Sequence, residues 1–459
     1  MRESLTFELA DWIRQVRFSS LPPEVVDLTK VTVLDWLGSA IAGSQTPPSA
    51  IVRRFAADQG GIPQATVIGG GQPARVTGKE RQRTSALLTT FVNGVSSHIV
   101  ELDDVHKGAI IHAGTAVIPA AIALAEQVAA SGPRLIEAVV AGFEVCIRIG
   151  EAVTPSHYRY FHTTGTVGTF GAAAAASKLL DLSVEQTVHA LGNAGTQAAG
   201  LWEFIEDGAM SKHLHSGKAG MNGLLAACLA KDGFTGASRI LEGDRGFLRA
   251  MAQEYDAGKI VGGLGMGYKI MENCFKIHSS CRHTHHAVDL VIELVNRNNL
   301  VPENIGGIEV NTYQVALDIT DNPNPESVYA AKFSLQFCAA LAAVKRRASL
   351  RDFTEDTLKD STVRGLLKKV RVAVDPVCQS RYPEKWGARV VIRTRGGAEY
   401  TASTEYPKGD FENPVSTEEL MNKFRDLVDG CISAEEAERL IGRTMALDRL
   451  PDVRALFAE

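Results

Sequence analysis

The sequence predicts a mainly α protein, with a large all-helical bundle domain and a smaller α+β lid domain. Three observations predict it. The chain has 459 residues, more than one hydrophobic core usually serves, so two domains are expected. Up to the run Gly262-Gly263-Leu264-Gly265-Met266-Gly267 the apolar spacing is that of helices. Beyond that run, strand-like segments enter.

The elements follow in chain order. Val25, Leu28, Val31, Leu34, Leu37 and Ile41 recur every three or four residues, with Pro22 and Pro23 as a start signal and Gly43 as a stop. Residues 65–71 break the helical pattern and read as a strand ending in a glycine turn. The alanine run 172–176 favours a helix whose small side chains let neighbours approach closely. Residues 262–267 read as a hinge. Strands are expected over 305–315, 370–377 and 389–401, the last with Gly396-Gly397 at a hairpin turn. Helices are expected over 284–296 and 332–344. Past Pro414, Leu420, Phe424, Leu427 and Leu440 restore the helical period, and this tail is expected to pack back on the first domain. The helical domain is therefore 1–265 with 406–459, and the lid domain 266–405.

Composition excludes several classes. Hydrophobic residues make up 45% and charged residues 22%, which is ordinary for a globular protein and too apolar for disorder. A net charge of −5 gives no basic surface for nucleic acid. Arg2, Glu3, Glu8, Asp11, Arg14 and Arg17 break any signal peptide, and apolar runs such as 224–230 are too short to span a membrane. The seven cysteines are odd in number and contain no C-x-x-C pair, which points to reduced thiols and a cytoplasmic setting.

Six of the twelve histidines fall in two short stretches: His98, His106 and His112, then His283, His285 and His286. Histidine gives and takes protons near neutral pH. His98, Glu101, Asp103, Asp104, His106 and His112 include metal-ligand types. A dinuclear carboxylate site would want paired E-x-x-H motifs, though, and no second copy is present. Zinc would want a tighter ligand set. The expectation is a metal-free site whose carboxylates orient histidines.

Three further stretches carry chemistry. His162, Thr163 and Thr164 precede the alanine-rich helix, where backbone N–H groups and hydroxyls can receive an anion; the plainer reading is an N-cap with a passenger histidine. Lys212, His213, His215 and Lys218 precede another helix rich in small residues. A lysine there can pair with a carboxylate or stabilise an enolate-like intermediate, and the alternative is a solvated basic loop. In the stretch from Phe275 to His285, Arg282 can bind a carboxylate bidentately, with hydroxyls from Ser280 and Thr284 beside it. The glycine runs lack the context of a P-loop or a dinucleotide fingerprint, no G-x-S-x-G elbow occurs, and Cys281 has no papain-like setting.

Taken in order, these segments resemble the MmgE/PrpD family, whose members include 2-methylcitrate dehydratases, cis-aconitate decarboxylases and iminodisuccinate epimerases. The likeness covers essentially the whole chain. It runs through Asp35-Trp36-Leu37-Gly38, Asn93-Gly94, His98-x-x-Glu101-Leu102-Asp103-Asp104, His112, His162-Thr163-Thr164-Gly165 and Lys212-x-Leu214-His215-x-Gly217-Lys218. It continues through Gly233-Phe234-Thr235-Gly236, Lys276 to His285, Phe333-Ser334-Leu335-Gln336 and Lys408-Gly409-Asp410. The resemblance implies a homodimer, a site between the two domains and no cofactor. It carries catalytic roles onto His112, His162, Lys212 and His285. Substrate contacts are expected from Glu101, Asp104, Thr163, His215, Ser280, Arg282 and His283. Tyr313 and Gln336 are expected to line the lid side of the pocket. Glu101 stands where the decarboxylases have aspartate. Phe337 stands where relatives commonly have tyrosine, which removes a possible acid and counts against decarboxylation.

Such a family member acts on a small polycarboxylate at carbon beside a carboxylate. That C–H is a poor acid, so cationic donors must stabilise a carbanion while a positioned base and acid move protons. Clustered positive donors should also lower the histidine pKa values by repulsion. The expected function is a cofactor-free lyase, first of all a hydro-lyase of the 2-methylcitrate dehydratase kind. A decarboxylase or an epimerase of a related di- or tricarboxylate is the alternative enzyme, and a non-catalytic carboxylate-binding protein the alternative class.

Overall fold

The computed structural model describes residues 4–69 and 81–458. Arg2, Glu3 and residues 70–71 of the expected glycine turn lie outside the described residues. The chain is mainly helical, and its strands form only small sheets. It divides into two compact units, one of residues Met1–Asn273 and Ser416–Glu459, the other of Cys274–Val415.

In the first unit, α1 (Leu5–Gln15) is capped by the Ser4 side chain. Helix α2 (Pro23–Ser44) starts on Pro23 and is buried almost all round. Helices α3 (Pro47–Gln59), α4 (Ala86–His98), α5 (Ala113–Gln127) and α6 (Gly132–Val153) follow. Between α3 and α4, β1 (Ala65–Thr66) pairs antiparallel with β2 (Arg83–Thr84). Then come α7 (Thr163–Leu179), α8 (Val184–Gly195), the short α9 (Phe204–Asp207) and α10 (Ser211–Lys231).

Every residue of α7 is buried, so this helix needs neighbours on all sides. Helices α5, α6, α8 and α10 supply them. The alanine run provides the close fit. Against α4, α10 comes closer still: a Cβ on Gly94 would lie 2.8 Å from the Gly217 Cα, a distance no side chain tolerates. This approach sets the α10 N-terminus beside the α4 C-terminus. The C-terminal helix Thr417–Val428 packs on α2, where Lys423 donates to Asp35 Oδ1 (2.6 Å) and to the Leu102 carbonyl (2.7 Å). That lysine pins the turn after α4. Among the described residues no helix is long and apolar enough to cross a membrane.

The second unit holds a four-stranded sheet in the order β4-β3-β5-β6. Strand β3 (Ile305–Thr312) is parallel to β4 (Val370–Val374) and antiparallel to β5 (Ala388–Thr394), which pairs antiparallel with β6 (Glu399–Thr404). Helices Arg282–Arg297 and Leu335–Lys345 cover it, and Val291, Leu294, Leu341, Val310 and Ile392 share its core.

The structure differs from three expectations. The unit boundaries fall at 273/274 and 415/416 rather than 265/266 and 405/406. Local bonding explains this: Glu144 accepts from Lys269 N (2.6 Å), while Phe275 N donates to the Gly409 carbonyl (2.8 Å). The glycine run lies within the first unit rather than at its boundary, with Arg148 of α6 donating to the Gly262 carbonyl at 2.8 Å. Two strands end early because Tyr313 and Asp375 are N-caps of the short helices Gln314–Thr320 and Pro376–Arg381. Phe337 packs in the apolar core, its ring 6.1 Å from that of Phe353.

Candidate active site

Three helix N-termini build a site in the helical unit. His112 is the N-cap of α5, His162 is the N-cap of α7, and Lys212 lies in the first turn of α10. Such ends carry partial positive charge and unpaired N–H groups. His98 closes α4 from the opposite direction. The chain then reverses through Glu101, whose φ of 58° is rare for a residue with a Cβ.

The rings gather closely. His98 stands 4.9 Å from His112 and stacks on His162 at 5.5 Å, while His112 and His162 are 6.3 Å apart. His215 lies 5.4 Å from His162, and His213 lies 6.1 Å from His98. Trp202 and Phe204 wall the other side of His162. Lys212 makes a buried ion pair with Glu101. Thr163 is fully buried, with no hydrogen-bond partner for its hydroxyl oxygen. Thr164 Oγ1 accepts from His112 N at 3.1 Å, tying α7 to α5.

Hydrogen bonds assign the tautomer of His112. Its Nδ1 lies 2.7 Å from the Asp104 carbonyl and 3.0 Å from Asp103 Oδ2. A carbonyl only accepts, so Nδ1 carries the proton and Nε2 is the nitrogen whose lone pair can take one. His112 is also the least buried imidazole of the cluster. Together His98, Asp103 and His112 present metal-ligand atoms near one another. A protonated Nδ1 on His112, however, has no lone pair for a cation.

Burial, more than repulsion, sets the titration of this cluster. It is the main cause pushing His162 well below the ordinary histidine value, with His98, Lys212 and His215 adding repulsion. Burial likewise takes His213 down to about 3 and His215 to about 4, again with His98 and Lys212 contributing. Burial opposes ionisation of Asp103 too, but His98 and His112 outweigh it and hold that carboxyl well below its usual range.

Asp104 behaves differently. Its carboxylate caps α5 by accepting from Gly114 N at 3.1 and 3.2 Å, and burial, with Asp103 and Asp35 nearby, pushes its pKa up to about 8. It therefore supports the α5 end. Between the ordinary value of 3.8 and about 8, the folded protein holds a proton that the unfolded chain has lost. Its contribution to stability thus falls as pH rises through that window. Asp104→Asn is expected to flatten this slope, so urea titrations at pH 5.5 and pH 8 should show a smaller stability difference than in the unchanged protein.

His106, counted with the first histidine cluster, makes a separate network. Its Nδ1 accepts from Ala109 N, and its Nε2 donates to Glu272 at 3.1 Å, with Lys269 bridging Glu272 and Glu151.

In the second unit the expected site residues form an internal network. Arg282 pairs with Asp410 and donates to His285 Nδ1 at 2.9 Å, and His285 Nε2 donates to the Ser280 carbonyl at 3.2 Å. Both nitrogens of His285 are thereby engaged within the unit, and burial, followed by Arg282, His278 and Lys276, keeps the ring far below its ordinary pKa. Ser280 bonds Thr284 at 2.8 Å. His283 bonds the Tyr313 hydroxyl at 2.7 Å and stacks on Trp386 at 4.4 Å. Gln336 bonds Asp321. These groups hold the start of helix Arg282–Arg297 in place. The structure thus gathers Glu101, His112, His162, Thr163, Lys212 and His215 in the helical unit. It adds His98, Asp103 and His213, which the sequence placed in the clusters without a catalytic or substrate role, and Trp202, which it did not single out. His98 and Asp103 lie in the motif itself, whereas Trp202 carried no signal in the sequence.

Fold and site together define a two-unit, mainly helical protein with imidazoles, carboxylates and a lysine gathered at helix N-termini. The models of the MmgE/PrpD N-terminal domain and the MmgE/PrpD C-terminal domain match residues 7–259 and 278–448, and the chain belongs to the MmgE/PrpD family. It is 26% identical to a cis-aconitate decarboxylase-like protein of Aspergillus oryzae, over 99% of this chain and 97% of that one. It is 27% identical to the cis-aconitate decarboxylase of Aspergillus terreus, over 99% and 96%. To the cis-aconitate decarboxylase of Homo sapiens it is 27% identical, over 99% and 94%.

Proposed function

We propose that this chain is a lyase that decarboxylates a small unsaturated tricarboxylate, cis-aconitate being the compound for which its relatives are named. The observation that carries the reading is the convergence of three positive helix ends and Lys212 on one cluster of imidazoles. A polyanion needs such a place, and few other ligands do. The relatives move the reading from dehydration of 2-methylcitrate to carbon–carbon cleavage.

The chemistry suits the residues. The bond from the methylene carbon to its carboxylate breaks, CO2 leaves, and the electron pair shifts through the alkene. The former alkene carbon then takes one proton, giving an unsaturated dicarboxylate. Lys212 and the α7 N-terminus hold the remaining carboxylates and the developing charge. His112, protonated at both nitrogens with Asp103 beside it, delivers the proton from Nε2. His162, kept uncharged, contributes Nε2 as a neutral hydrogen-bonding group while its Nδ1 meets that of His215 at 3.2 Å.

Purified protein incubated with cis-aconitate, followed by 13C NMR, is expected to release CO2 and accumulate the dicarboxylate. No reaction with cis-aconitate alongside alkene formation from 2-methylcitrate would return the reading to a hydro-lyase. Deuterium incorporation from heavy water without bond cleavage would make the protein an epimerase.

A further inference from the structure

A single carboxylate oxygen serves two histidines. Asp103 Oδ2 lies 2.7 Å from His98 Nδ1 and 3.0 Å from His112 Nδ1. Both rings turn the same nitrogen toward it, so both present Nε2 away from it. His98 is fully buried, and its Nε2 has no hydrogen-bond partner, nor has Asp103 Oδ1. A buried carboxylate with one oxygen doubly used and the other empty is costly unless its charge has work to do.

We propose that Asp103 is a positioning residue that, beside the Asp104 carbonyl, holds the Nδ1–H side of His112 and offsets its charge, and that His98, bound to the same oxygen, limits how much of that anion His112 receives. This rests on the reading of His112 as the proton donor. His98 thereby acts as a brake on the basicity of His112. Whatever His98 draws from Oδ2, by hydrogen bond or by charge, His112 loses.

The other groups around His112 make this pair decisive. His162 faces it from α7 at 6.3 Å and is held neutral by burial. Burial, with Asp103 and Asp35 nearby, raises the Asp104 carboxyl at Gly114 to about 8, which disfavours its charge at neutral pH. The Lys212 ammonium is paired with Glu101, and His213 and His215 are pushed far below neutrality. Asp103 thus sets a carboxylate oxygen against the His112 ring, and His98 shares that oxygen.

Two substitutions have opposite expected signs. Asp103→Asn keeps the shape but removes the anion, so protonated His112 loses its counter-charge. The His112 titration should move down by about one pH unit or more. His98→Phe keeps the ring stacked on His162 but removes its claim on Oδ2, so the same titration should move up. In 15N-histidine-labelled protein, with His112 signals assigned by their loss in His112→Gln, the ring shifts report both tautomer and midpoint. The basic limb of kcat/KM against pH should move with them, down for Asp103→Asn and up for His98→Phe.

Shifts in the same direction for both variants, or no shift in either, would overturn the proposal, since a merely structural role lowers activity without moving the titration. Should Asp103→Asn not fold, the His98→Phe shift alone decides, upward in support and unchanged or downward against. Expected ring titrations in a protein that leaves cis-aconitate untouched would defeat the proposed reaction while sustaining this device.

Discussion

Lys212→Ala is expected to lower kcat/KM for the tricarboxylate by about a thousandfold, the cost of removing one preorganised donor from a developing negative charge. The lysine sits in the first turn of α10, so its ammonium and the helix end act in the same direction. The substitution also breaks a buried pair. Both side chains are nearly inaccessible, at 4% and 2%, so Glu101 would lose its counter-charge inside the protein. Such a loss costs about 3–5 kcal/mol. Stability and activity can therefore be separated. The double variant Lys212→Ala with Glu101→Gln removes the stranded charge and should recover most of the melting temperature while recovering none of the turnover. Recovery of turnover in that double variant would show that the lysine is structural. Thermal melts with steady-state kinetics on both variants make the check.

His112→Gln is expected to lower kcat by about 10²- to 10⁴-fold, the range for losing a general acid, with KM changed only a few-fold. The amide can still donate toward the Asp104 carbonyl, so the α5 start should survive, but it has no proton to give at physiological pH. The pH dependence of the residual rate should lose the limb assigned to this ring. Full turnover in the variant would transfer the proton-donor role to another imidazole, and His162 would be the next to test. Burial, with His98 and Lys212 adding repulsion, holds its pKa well below the ordinary histidine value, which disfavours it as an acid.

Much of the fold can be read from the sequence because the cues are local. Apolar residues at three- and four-residue spacing mark α2, Pro23 starts it, and the alanine run marks a helix that must be interior. The switch to alternating strands marks the second unit. Boundaries were harder, because they depend on side-chain bonds such as Lys269 N to Glu144 and Phe275 N to the Gly409 carbonyl, which join residues far apart in the chain.

The candidate site divides in the same way. His112, His162 and Lys212 stand out by residue type beside helix starts, and the motif around them is sufficient to name a family. The sequence by itself determined the helical scaffold, the residue types of the site and the family. Only the tertiary structure decided which residues meet. It separated His106 into another network, engaged both nitrogens of His285, placed Phe337 in a core, and joined His98 to His112 through one oxygen of Asp103. The physical reason is range. Periodicity and caps act over a few residues, whereas a tautomer, a shared hydrogen bond and a buried pKa depend on groups brought together by the packing of α4, α5, α7 and α10.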